Sequence, residues 1–260
     1  MMLLGEHQSF SGHRGIGGNL GVLTMAQLNA LYGSELHLLR MLGRHRHHFN
    51  SIVQRATGAD EIDWLDFPSG ALLPGKDGKP RGWDREWRHL EFLSNHDPAK
   101  SAWARSWPTD RQGHNWDAVA RLRYGTTFEW LLVEAKANVE ELKSPCEAED
   151  ENSLRMIREA VEGTRSALGA PSSSDWLKPY YQFCNRVTVL HSLNRSDAAA
   201  RLLFVYFFGD VRRSGRTSPQ SPDEWQRALA AQDAHVGLPA SHELTHRIHK
   251  VFVDAQCASV

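Results

Sequence analysis

Cysteine is scarce in this sequence: Cys146, Cys184 and Cys257 are three in 260 residues, far apart and odd in number. That excludes a disulfide framework and offers no paired-thiolate spacing for a zinc site. Long apolar runs are missing too, so no bilayer-spanning segment is expected. The opening Met-Met-Leu-Leu passes at once into Gly, Ser and His without a signal-peptide hydrophobic region, and a cytoplasmic chain is expected. Charge of one sign is also lacking, with 30 basic residues against 31 acidic ones and a formal net charge of −1. Bulk charge therefore decides nothing about nucleic acid, which local patches would have to bind. There is no internal repeat and no long low-complexity segment. The "GIGGNLG" run at 15–21 lacks a preceding strand and the GxGxxG spacing, so residues 1–23 read as a flexible tail rather than a phosphate loop.

What is present suits a globular core, with 41% hydrophobic and 23% charged residues. Most of the nine tryptophans fall between Trp64 and Trp130, as an aromatic-rich middle packed over a sheet. A helical region is expected from Thr24. Within it, Ser34 is the N-cap of a helix with Leu36, Leu39, Leu42, Phe49, Ile52 and Val53 as its apolar stripe and Gly58 as its stop. "IDWLDFPSG" reads as a strand, and an insertion at about 70–112 holds a Pro/Gly loop and two short helices, "WDREWRHLEFLSN" and "AKSAWARSW". Two strands, "NWDAVARLRYG" and "FEWLLVEAKAN", flank a Tyr-Gly-Thr-Thr turn. A charged helix, "EAEDENSLRMIREAVEGTRSALG", comes next, then a long helix broken or begun near Pro179. Arg201 to Asp210 form the most apolar strand, and two C-terminal helices are expected on either side of Gly237-Leu238-Pro239. The fold class is α/β with a central mixed sheet flanked by helices. The domain limits are a tail at 1–23, an α/β domain at 24–215, and a C-terminal helical extension at 216–260 packed on it.

The stretch "FEWLLVEAKAN" poses the chemical question, because a core strand runs directly into an acid and a base. A tight turn at Gly125-Thr126 pairs Tyr124 with Thr127 and, counted outward, sets Asp117 opposite Glu134. Lys136 lies two residues beyond Glu134 and shares its face of the sheet. Two facing carboxylates repel, raising the pKa of one unless a cation sits between them. Carboxylate oxygens suit a hard cation such as magnesium or manganese. A lysine beside them can orient a water or stabilise a phosphoryl transition state, which is the equipment for cutting a phosphodiester.

This pattern resembles the PD-(D/E)XK nuclease superfamily, with the restriction-endonuclease-like fold. Asp117 matches the superfamily aspartate and Glu134-Ala135-Lys136 its (D/E)XK tripeptide, although Trp116 stands where the proline belongs. By order of elements the resemblance covers residues 33–210. It implies a magnesium- or manganese-dependent nuclease in which Asp117 and Glu134 hold the metal, the Ala135 carbonyl assists, and Lys136 positions the attacking water. It also implies Glu35 on the first helix as a further metal ligand and Gln182 as a further catalytic residue. Arg186 replaces the tyrosine of an exonuclease-type QxxxY. The implied partner is nucleic acid, DNA ahead of RNA, with a homodimer allowed and no membrane. The alternative on the same fold is a non-catalytic binding module.

Other signals compete. "HELTH", His242 to His246, matches the HExxH zinc-peptidase motif and, on a helix, would place His242 and His246 on one face with Glu243 as base. A third downstream ligand is missing, and the better reading is a terminal helix with Leu244, Ile248 and Val251 inward. Arg40, Arg44, Arg186, Arg212 and Arg213 are candidate phosphate contacts, with a solvated helix face as the bland reading of the cluster around Arg40 and Arg44. Trp64, Trp83, Trp87, Trp103, Trp107 and Trp116 are read mainly as packing rather than base-stacking platforms.

Overall fold

The computed structural model describes residues 33–68, 73–74, 80–81, 84–108, 114–210 and 218–256. The N-terminal tail, the glycine run, Trp83, Arg212, Arg213 and Cys257 lie outside the described residues. Six α-helices are described: α1 (Ser34–Leu42), α2 (Arg46–Thr57), α3 (Pro98–Ser106), α4 (Glu151–Ala167), α5 (Tyr181–Arg195) and α6 (Pro222–Val236). The strands are β1 (Glu61–Trp64), β2 (Leu73–Pro74), β3 (Pro80–Arg81), β4 (Trp87–Arg88), β5 (Asn115–Trp116), β6 (Ala118–Tyr124), β7 (Thr127–Lys136), β8 (Ala200–Phe208) and β9 (Ile248–Asp254).

Five of these strands form the central sheet in the order β1-β6-β7-β8-β9. β1, β6 and β7 make an antiparallel meander, and β8 and β9 join parallel to β7. The expected hairpin register holds from Tyr124↔Thr127 out to Ala118↔Val133. Gly125 takes the positive φ of 59° that a two-residue turn requires. Its N–H is held by Asp60 Oδ2 at 2.8 Å.

The sheet is covered on both faces, which is why β7 and β8 read as nearly unbroken apolar runs. Leu131, Val133 and Ala135 pack with Leu203, Val205 and Val253 against Leu38, Met41, Phe49 and Val53 of α1 and α2. On the other face Val119, Leu132, Phe204 and Tyr206 meet Phe183 and Val187 of α5, Trp225 of α6, and Trp103, Trp107 and Trp116. The aromatic middle is therefore packing: Trp103 and Trp107 stack at 4.7 Å and Trp116 is fully buried. Alternation along β7 puts Glu134 and Lys136 on the α5 face.

Three local expectations are corrected. The single helix expected up to Gly58 is two, because the chain leaves helical geometry at Gly43. The freed end is capped by His45 N and Arg46 Nε, which donate to Arg40 O and Leu42 O. The stripe shifts with the break, so that Leu39 is 44% exposed while Leu38 and Met41 are buried. The segment "WDREWRHLEFLSN" is not a helix, because Trp87 and Arg88 pair instead with Trp116 and Asn115. The C-terminal extension is not wholly helical. α6 is bounded by a Ser221 cap and a left-handed Gly237, but the following segment turns and enters the sheet as β9. Among the described residues no helix is long and apolar enough to cross a membrane.

Candidate active site

A cleft of about 660 Å³ opens where β7 ends, lined by Asp117, Glu134, Ala135, Lys136, Gln182 and Arg186 among others. Each side chain is delivered by a different local device. Asp117 sits at the bend between β5 and β6, where its N–H donates to Val133 O and its Oδ2 accepts the Ala135 N–H at 2.6 Å. The backbone of β7 thus fixes the Asp117 carboxyl beside Glu134. Gln182 is set at the start of α5, whose Gln182 N–H donates to Ser144 Oγ at 3.0 Å.

Glu134 is 2% exposed and carries the centre. Its Oε1 accepts from Lys136 Nζ at 2.5 Å and its Oε2 from Arg186 Nε at 2.8 Å. Lys136 Nζ also donates to Gln182 Oε1 at 2.8 Å. Arg186 is 4% exposed and spends its remaining donors on Asn115 O and Asn185 Oδ1, lying 4.9 Å over the Trp116 ring. Arg186 is therefore a buried partner of Glu134, not a surface phosphate contact.

These surroundings split the two carboxyls. Burial pushes Asp117 well above the usual aspartate range and the negative charge of Glu134 pushes it further, outweighing Lys136 and the Ala135 N–H. Burial would also raise Glu134, but the charges and hydrogen bonds of Arg186 and Lys136 overcome it and hold Glu134 below the usual range. Asp117 is thus shifted toward its protonated form and Glu134 toward its ionised form, a division characteristic of carboxylate pairs set in unlike surroundings. His114, buried at the cleft wall, is held neutral first by burial and then by Arg186 and His89.

The donor set fits a hard divalent cation of the magnesium type, which takes one or two carboxylates and fills its remaining positions with water and substrate oxygens. Asp117 and Glu134 supply carboxylates at the end of β7, with Ala135 beside them in the cleft wall. Glu134 must give up one of its two cationic partners to serve. Glu35 does not join them: it is exposed on α1, and it is Ser34 that lines the cleft. Among the described residues no group of three or more His, Cys, Asp or Glu gathers as a metal-binding set. Glu86, a cleft-lining loop residue that adds to the field raising Asp117, has no signal in the sequence. Asn185 does have one, since it lies three residues from Gln182 on α5.

The remaining candidates lie elsewhere. Arg40 donates to Ala255 O at 3.1 Å, tying α1 to the end of β9, and Arg44 is exposed in the turn after α1. Neither lines the cleft. His242 to His246 form turns rather than a helix, so His242 and His246 share no helical face, and Glu243 Oε1 meets His191 Nε2 at 2.7 Å. The zinc-peptidase reading fails on this geometry. Comparison with protein-family models, curated proteins and solved structures finds no match to this chain.

Proposed function

We propose that the protein is a divalent-cation-dependent, nuclease-like phosphodiester hydrolase on a restriction-endonuclease-like α/β core. One observation carries this reading: the Asp117 carboxyl is fixed beside Glu134 by the Ala135 N–H, with Lys136 held between Glu134 and Gln182, all at the open end of a buried strand. A bound magnesium or manganese ion would supply Lewis-acid polarisation of the phosphoryl group and a more acidic water. Asp117 and Glu134 would hold it in their carboxylate forms, with the Ala135 carbonyl beside them. Lys136, tethered by Gln182, would hold its ammonium beside the attacking water once Glu134 turned to the ion. Arg186 keeps Glu134 ionised and in one rotamer, acting through that carboxylate rather than on the substrate.

A second reading has its own support. Both oxygens of Glu134 are already satisfied by cations, as in a structural ion network of a non-catalytic binding module. Cleavage assays on single- and double-stranded DNA and RNA, with and without magnesium or manganese, separate the two. Asp117→Asn, Glu134→Gln and Lys136→Ala should each lower cleavage at least about a hundredfold, with the circular dichroism spectrum unchanged. Cleavage at wild-type rates in these variants overturns the hydrolase reading. A wild type inert with every substrate and either metal favours the module.

A further inference from the structure

A second hollow, of about 440 Å³, lies between α4 and the segment 172–178. Pro145 and Cys146 line both it and the cleft, so the two adjoin. Their charges are opposed. Besides Asp117 and Glu134, the cleft wall carries Glu86, Glu141, Glu147, Glu149 and Asp150. Its two strong cations, Lys136 and Arg186, are both bonded to Glu134. A polyanionic strand therefore finds no surplus positive charge in the cleft itself, and whatever anchors it must stand outside.

The second hollow has that surplus. Arg158 and Arg165 project from α4, Lys178 faces them from the loop, and Ser172 and Ser173 add hydroxyl donors. Seven residues apart, the two arginines share one face of α4 about 10 Å apart along its axis. Glu162 and Asp175 also border the hollow. Among the described residues, however, no carboxylate reaches salt-bridge distance of Arg158, Arg165 or Lys178, whereas neighbouring Arg155 is paired with Glu159 at 3.1 Å. Asp175 Oδ1 is occupied by the Leu177 N–H. Arg165 is held in place by its NH1 bond to Ser174 O. A fixed guanidinium beside two further cations is suited to a phosphate oxygen.

We propose that this hollow is the subsite for the phosphodiester backbone of a single strand, seating phosphates that flank the bond placed in the cleft. The proposal rests on the phosphodiesterase reading of the cleft. A hollow of this size admits about one or two nucleotides of one strand rather than a paired duplex. Arg158, Arg165 and Lys178 bind phosphate by charge, which carries no sequence preference and predicts strong salt dependence.

The test is fluorescence anisotropy of a labelled oligothymidine in EDTA, where no cutting occurs. Wild type is compared with the triple variant Arg158→Gln, Arg165→Gln, Lys178→Gln, and with Arg155→Gln as a control on the same helix. The triple variant should bind at least about tenfold more weakly and lose about two units of the log affinity against log salt slope, at roughly 0.7 per contact. Arg155→Gln should match wild type. Unchanged affinity and slope in the triple variant overturn the subsite, as does a wild type that binds no strand or that prefers a duplex of the same sequence. The two readings fail separately. Binding lost in the triple variant of a protein that cuts nothing leaves the subsite standing without the hydrolase. Cutting that survives the triple variant unchanged does the reverse.

Discussion

At the scale of single residues, Asp117 and Glu134 make opposite contributions to stability as pH changes. The folded chain raises the Asp117 pKa, so the native state binds that proton more tightly than the unfolded chain. Stability from this group is present at low pH and falls as pH rises above the ordinary aspartate range. Glu134 is lowered, so its contribution is present above the ordinary glutamate range and is lost as pH falls through the folded value. Asp117→Asn keeps the Ala135 N–H acceptor and removes the penalty. Without added divalent cation, the melting temperature of the variant should depend less on pH than that of wild type above the ordinary aspartate range. Parallel melting profiles for the two proteins would refute the raised Asp117 pKa. Glu134→Ala behaves differently, because it strands the buried charges of Lys136 and Arg186 at a cost of about 3–5 kcal/mol. Urea unfolding should show that loss, with Glu134→Gln retaining more stability, so the amide is the cleaner variant for activity work.

Among the elements, what could be read from the sequence divides by how local its cause is. The β6–β7 hairpin was legible because one turn, at Gly125-Thr126, sets the whole register and with it the neighbourhood of Asp117, Glu134 and Lys136. The place of Gln182 was legible from the helix after that strand. β9 was not, because it exists only through parallel pairing with β8, from Leu202↔Ile248 to Phe208↔Asp254. Locally, the spacing of His242, His246 and His249 imitates a helix. Glu86 and Asn115 reach the cleft from irregular or two-residue segments, for which no periodicity exists to read. The two accounts of the C-terminal segment make different demands on Val253. A helix with Leu244, Ile248 and Val251 inward would leave it near solvent, whereas on β9 it is 1% exposed against Val205 and Phe207. Val253→Asp should therefore prevent cooperative folding or cost more than about 3 kcal/mol in chemical denaturation, through an unpaired buried charge. A variant as stable as wild type would remove β9 from the sheet.

For the molecule as a whole, the centre is built into the sheet rather than placed on a loop, so its occupancy should be felt by the entire fold. β7 is the middle strand, covered on both faces, and the same ten residues that pack Leu131, Leu132 and Val133 present Glu134 and Lys136 to the cleft. A ligand that binds only the native state stabilises it by about 2.7 kcal/mol at a hundredfold excess over its Kd. Magnesium or manganese should thus raise the melting temperature of wild type but not of Glu134→Gln. Stabilisation alone does not show which carboxyls take part, since any native-state cation site would give it. Proton release does. Because the fold raises the Asp117 pKa, binding through both carboxylates must expel whatever proton Asp117 carries, and the number released should grow as pH falls. Calorimetric titration of manganese in two buffers of different ionisation enthalpy measures that number directly. Release that vanishes in Asp117→Asn would join the two carboxylates to one cation. Release that is the same in wild type and Asp117→Asn at every pH would mean that the ion is held elsewhere and that Asp117 serves only to brace β7 through the Ala135 N–H.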